Sequence, residues 1–112
     1  MSIIMTVEEK HEIQGRYHYL VNFGEDPDAP IDPLTYVDSN GDHLLHIATR
    51  QGDLRTVELL IKAGQDVNQR GDMGCTALHY ALMSGKADVA EFLLLNGADE
   101  SVKNDFGRVA RE

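Results

Sequence analysis

Apolar residues fall at helical spacing in three stretches of the chain. Ile13, Tyr17, Leu20 and Val21 share one face, with Glu8, Glu12 and Arg16 off it. Thr6 followed by Glu9 is the spacing of a capping box, in which each side chain satisfies a free backbone N–H, so a helix is predicted to start there. Asn22, Phe23 and Gly24 are predicted to end it, and Gly15 weakens it by roughly 1 kcal/mol relative to Ala. The second set is Leu45, Ala48, Leu54, Val57, Leu60 and Ile61, and the third is Leu78, Ala81, Val89, Phe92, Leu93 and Leu94. Each of these two sets reads as a pair of antiparallel helices, with Gly52 placed to reverse the chain within the first. Between the first two sets, Glu25 to Pro33 holds three prolines and four acids, which predicts an exposed, stiffened connector.

The second and third sets belong to one stretch written twice, Asp38 to Asn68 and Gly71 to Ser101, offset by 33 residues. Gly41, His46, Ala48, Gly52, Gly64 and Asp66 return as Gly74, His79, Ala81, Gly85, Gly97 and Asp99. That period belongs to a β-turn plus two helices. HLLHIA (His43 to Ala48) and TALHYA (Thr76 to Ala81) resemble the helix-opening signature of ankyrin repeats, and the resemblance runs from Pro33 to Arg108. It implies an all-α solenoid of helix-turn-helix units joined by β-turn loops. The chain then divides into a capping helix and connector (1–37), two units (38–70 and 71–103) and a truncated third (104–112). In the last, Asn104, Asp105, Phe106 and Gly107 repeat the turn, but RVARE lacks the leucine and histidine expected next. Met5 to Gly24 is read as a noncanonical cap, because a stacked unit cannot bury its apolar face alone.

Charge narrows the choice of partner. Ten Lys and Arg against nineteen Asp and Glu give −9, distributed as −5 over Met1 to Val37, −1 over Asp38 to Arg70 and −3 over Gly71 to Glu112. Such a balance disfavours nucleic acid and anionic membrane surfaces and favours a basic protein partner. Cys75 is the only cysteine, so no internal disulfide forms, and a reducing compartment, the cytoplasm, is the expected home. Met1 to Met5 is followed by Glu8, Glu9 and Glu12, without the basic start or apolar run of a secretory signal.

Candidate chemistry is sparse. Cys75 and His79 lie four apart, the minimum for an activated thiol, but no third residue orients the histidine. His43 with His46, and His11 with His18, are allowed pairs on a helix face that lack a third metal ligand. The resemblance instead implies that His46 and His79 tie neighbouring loops, and that Asp66 and Asp99 fix loops. No catalysis, metal or cofactor is expected.

Recognition by the concave face remains. The family's variable positions fall on Ser39, Asn40, Asp42, Arg50 and Gln51 in the first unit. In the second they are Asp72, Met73, Cys75, Met83 and Ser84, followed by Asp105, Phe106 and Arg108. Tyr80, beside the signature histidine, is expected to be half-exposed and to join Met73, Met83 and Phe106 in an apolar centre ringed by Asp42, Asp72 and Asp105. In the competing arrangement Tyr80 and Met83 pack against the next loop. The function implied is a non-catalytic adaptor or inhibitor that docks a folded protein. An immunity-type protein masking a basic toxin or nuclease and self-association through the open end of the last unit are alternatives, and a thiol enzyme is the competing class.

Overall fold

The computed structural model describes residues 5–20 and 28–111. Its helices are α1 (Val7–Arg16), α2 (Leu44–Gln51), α3 (Leu54–Lys62), α4 (Ala77–Met83) and α5 (Ala87–Leu95). The sequence repeat is also a structural repeat, since α4 and α5 begin 33 residues after α2 and α3. Within each unit the two helices pack together, and across units α2 meets α4 and α3 meets α5. The seam between them is built from Leu44, Leu45, Ala48, Val57, Leu60, Ala77, Leu78, Ala81, Val89 and Leu93, all buried. Small Ala48 and Ala81 sit where helices must approach closely.

The capping box at Thr6 forms, with the Glu9 N–H donating to the Thr6 hydroxyl and the Thr6 N–H donating to the Glu9 carboxylate, each at 3.0 Å. The helix it opens is shorter than its apolar pattern predicts. It ends at Arg16, with Tyr17 as C-cap, so Tyr17 and Leu20 reach the core from a turn. The predicted stop at Asn22, Phe23 and Gly24, and the face position of Val21, lie outside the described residues. Ile13 and Tyr17 are buried, and the Tyr17 hydroxyl donates to Asp53 at 2.8 Å, at the N-terminus of α3. Ion pairs Arg16–Asp53, Glu12–Arg55 and Glu9–Lys62 line α1 against α3. Such partly exposed pairs contribute little energy, so they align a contact that Ile13 and Tyr17 hold.

The connector is less exposed than its composition predicts. Asp28, Pro30 and Asp32 face water, but Ile31 and Pro33 are buried. Gln14 anchors the segment by donating to the Ile31 carbonyl at 2.9 Å.

Candidate functional site

The site is built from three turns of one plan. In each, the backbone N–H of the first residue donates to the carbonyl of the fifth: Asp38 to Asp42 at 2.9 Å, Gly71 to Cys75 at 2.7 Å, Asn104 to Arg108 at 2.9 Å. In the first and third turns a side chain also closes the loop. Asp38 accepts from the Asn40 and Asp42 N–H groups, and Asn104 from those of Phe106 and Arg108.

Gly71 has no side chain to do the same, and a carboxylate from the preceding unit bonds a different N–H of this turn, that of its second residue. The Asp42 carboxylate accepts from the Asp72 N–H at 2.9 Å and from the Tyr80 hydroxyl at 2.8 Å. A Cβ at Gly71 would collide with that carboxylate and with the His46 ring. Glycine is therefore needed for room, since its φ of −113° is open to other residues. Arg50 completes the cluster, 3.3 Å from the second Asp42 oxygen and 5.1 Å from the Tyr80 ring centroid. Burial, reinforced by the bond to Asp42, raises the Tyr80 hydroxyl pKa above its ordinary value.

These distances correct three expectations. Asp42 is not a rim acid, because it is fully buried. Tyr80 is not half-exposed: at 7% exposure it packs against Asp42, His46 and Arg50 of the preceding unit, and Met83 stays exposed, so the packing of both against the next loop is not what buries it. Cys75, expected on display, is 6% exposed because it occupies the inward position that Asp42 takes one unit earlier.

The signature histidines lie at these same junctions. His46 Nδ1 accepts the His43 N–H at 2.9 Å, which leaves Nε2 protonated to donate to the Gln69 carbonyl at 2.8 Å. His79 repeats the arrangement, with Thr76 at Nδ1 and the Arg108 carbonyl at Nε2. Both therefore tie their helix to the next loop, as the resemblance implies. With both ring nitrogens engaged, His79 cannot serve as base to Cys75, and His46 cannot ligate a metal beside His43. Asp66 and Asp99 likewise fix loops, accepting from the Asn68 and Ser101 N–H groups at 2.9 and 2.8 Å.

What stays open is a hollow of about 570 Å³ between the second turn, α4 and the third turn. Arg50, Asp72, Met73, Cys75, Tyr80, Met83, Phe106 and Arg108, all singled out in the sequence, line it. Its mouth is apolar, with Met73, Met83 and Phe106 at 55%, 64% and 66% exposure. Asn104, Val109 and Ala110 also line it and were missed in the sequence. Their signal was the third turn itself, whose closing residue Asn104 recurs at the position of Asp38. Asn40, Gln51 and Asp105 lie outside the hollow. Asn40 is an exposed turn tip, and Gln51 points toward the cap, donating to the Tyr19 hydroxyl. The Asp105 carboxylate lies against Gly74, where a Cβ would clash with it, and its N–H bonds the Met73 carbonyl at 2.9 Å.

A family model of ankyrin repeats, in three copies, matches residues 10–104. Protein phosphatase 1 regulatory subunit 27 is 40% identical over 74 residues in both Homo sapiens and Mus musculus, a stretch covering 66% of this chain and 48% of the relative. Alpha-latroinsectotoxin-Lt1a of Latrodectus tredecimguttatus is 38% identical over 87 residues, 77% of this chain and 6% of the toxin. The chain thus spans about half the length of the regulatory subunits and a small part of the toxin.

Proposed function

Because the chain belongs to the ankyrin repeat family, whose units are protein–protein interaction modules, we propose that it is a non-catalytic adaptor or inhibitor that holds a protein partner in this hollow. One observation carries the proposal: three large apolar side chains from different elements, Met73, Met83 and Phe106, converge exposed on one cavity. A mobile, polarisable methionine pair beside an aromatic ring is a surface that repacks around a partner's side chains. The polar groups beneath them are engaged in holding the turns, which leaves this mouth as the recognition surface.

The regulatory-subunit name of the human relative supports an adaptor role. The unpaired thiol of Cys75 supports a cytoplasmic home. The cap segment, which carries −5 of the net −9, is the part that would steer a basic partner, and none of its described residues lines the hollow. The test is a photo-crosslinking amino acid placed at Met83, with exposed Glu58 on α3 as control, in a cell extract. Crosslinks should form from Met83 and not from Glu58, and Met83→Asp should abolish capture without lowering the melting temperature. Capture that survives Met83→Asp would overturn the concave reading.

A further inference from the structure

The charges around the hollow differ in whether they are already spoken for. Arg50 is held by Asp42 and stacked on Tyr80. His79 has both ring nitrogens bonded. Asp72 uses only its backbone, its N–H going to Asp42 and its carbonyl accepting from Tyr80 at 3.4 Å. Among the described residues, neither the Asp72 carboxylate nor the Arg108 guanidinium makes a hydrogen bond or ion pair. Both residues line the same cavity, one on the second turn and one on the third, and Met73 and Phe106 are their neighbours at the two turn tips.

On the reading that this hollow binds protein, we infer that it takes a peptide segment in which one large apolar side chain stands between a basic and an acidic residue. The apolar side chain fills the space between Met73, Met83 and Phe106. The basic residue faces Asp72 and the acidic residue faces Arg108. The volume of about 570 Å³ is ample for an aromatic or leucine side chain with its flanking backbone. Desolvating two charges beside an apolar contact is favourable only when each meets its opposite, so segments flanked by two like charges place one of them against its own sign. The charge choice is therefore set locally, and the net charge of −9, concentrated in the cap segment, does not decide it.

The probes are four labelled peptides alike except for the residues flanking one phenylalanine: Lys and Glu, two Lys, two Glu, or two Ser. They are titrated against the full chain by fluorescence anisotropy at low salt. The Lys and Glu peptide should bind about tenfold more tightly than either like-charged peptide. Arg108→Asp should move the preference to the two-Lys peptide, and Asp72→Arg should move it to the two-Glu peptide, with thermal melts verifying that both variants fold. A ranking that neither reversal changes, or a Ser peptide that binds as tightly as the Lys and Glu one, overturns the inference. If that binding is nevertheless abolished by Met83→Asp, the concave reading stands and only the charge order falls. If no peptide shows binding sensitive to Met83→Asp, both fall.

Discussion

The two junctions of this molecule share a backbone plan and differ in what fills it. Between the first and second units, Asp42, Gly71, Arg50 and Tyr80 form a closed polar cluster whose acid reaches across to the next turn. At the second junction the positions of Asp42, Gly71 and Arg50 are held by Cys75, Asn104 and Met83, each 33 residues on. Asn104 closes its own turn, the Asp105 N–H goes to the backbone carbonyl of Met73 in the unit before in place of a buried carboxylate, and Cys75 receives only a contact from the Asn104 amide at 3.6 Å. An arginine that pairs with Asp42 of its own unit and lies over Tyr80 of the next becomes an exposed methionine at the other. The first junction is thereby a closed polar joint, and the second leaves an open, apolar-mouthed hollow.

The sharpest break of that comparison is to remove the inward residue at each junction. Asp42→Ala strands the Asp72 N–H, leaves the Tyr80 hydroxyl only its 3.4 Å bond to the Asp72 carbonyl, and leaves Arg50 unpaired. We expect a loss of about 3 kcal/mol, below the full penalty of a fully buried pair because Arg50 is partly exposed. Cys75→Ala removes one small, weakly bonded side chain and should cost about 1 kcal/mol. Urea titrations of the two variants measure both, and equal losses would erase the distinction. Tyr80→Phe comes next in size. It keeps the ring under Arg50, deletes the hydroxyl that donates to Asp42 and, at 3.4 Å, to the Asp72 carbonyl, and should cost about 1–2 kcal/mol. Tyr80→Ala, by contrast, would open the joint itself, so it cannot serve as a clean probe of partner binding.

Acid should loosen the first junction through His46. Burial is the largest influence on its ring and holds its pKa below the ordinary value of 6.5, against the opposing pull of the Gln69 carbonyl and Asp42. The unfolded chain then takes up a proton that the folded chain refuses. His46 thus contributes its full stability above about pH 6.5, and that contribution declines as pH falls below it. Melting temperatures recorded from pH 7.5 down to 5.5 should fall, and His46→Gln should flatten the decline. A slope unchanged by the substitution would remove His46 as its source.

Local rules made much of this legible. The 33-residue landmarks placed α2 through α5, the Thr6 and Glu9 spacing placed the first helix start, and the family resemblance implied the loop ties of His46 and His79. What escaped depended on partners distant in sequence. Asp42 reads as a solvated turn acid until Gly71 vacates space for it and Tyr80, 38 residues on, supplies a donor. Tyr80 was misjudged for the same reason. The early end of α1 was hidden because Tyr17 and Leu20 continue the helical apolar pattern while serving the core from a turn. Ile31 was masked by the prolines and acids around it.

The smallest effect sits at the turn tip. Asn40, Met73 and Phe106 occupy one position in three turns, and among the described residues only Met73 is a non-glycine in the left-handed region, at φ 57° and ψ 24°. A side chain there crowds the following carbonyl, whereas asparagine tolerates that conformation. Met73→Asn should therefore stabilise the chain by about 0.5 kcal/mol, because the strain goes and an apolar side chain 55% exposed loses little burial. The same substitution takes an apolar wall from the hollow and should weaken partner binding severalfold. Opposite signs in the two measurements would identify Met73 as a residue held in strain for recognition at the open junction. A variant that is less stable than the parent would mean that Met73 packs as part of the turn, and the two junctions would then be equally structural.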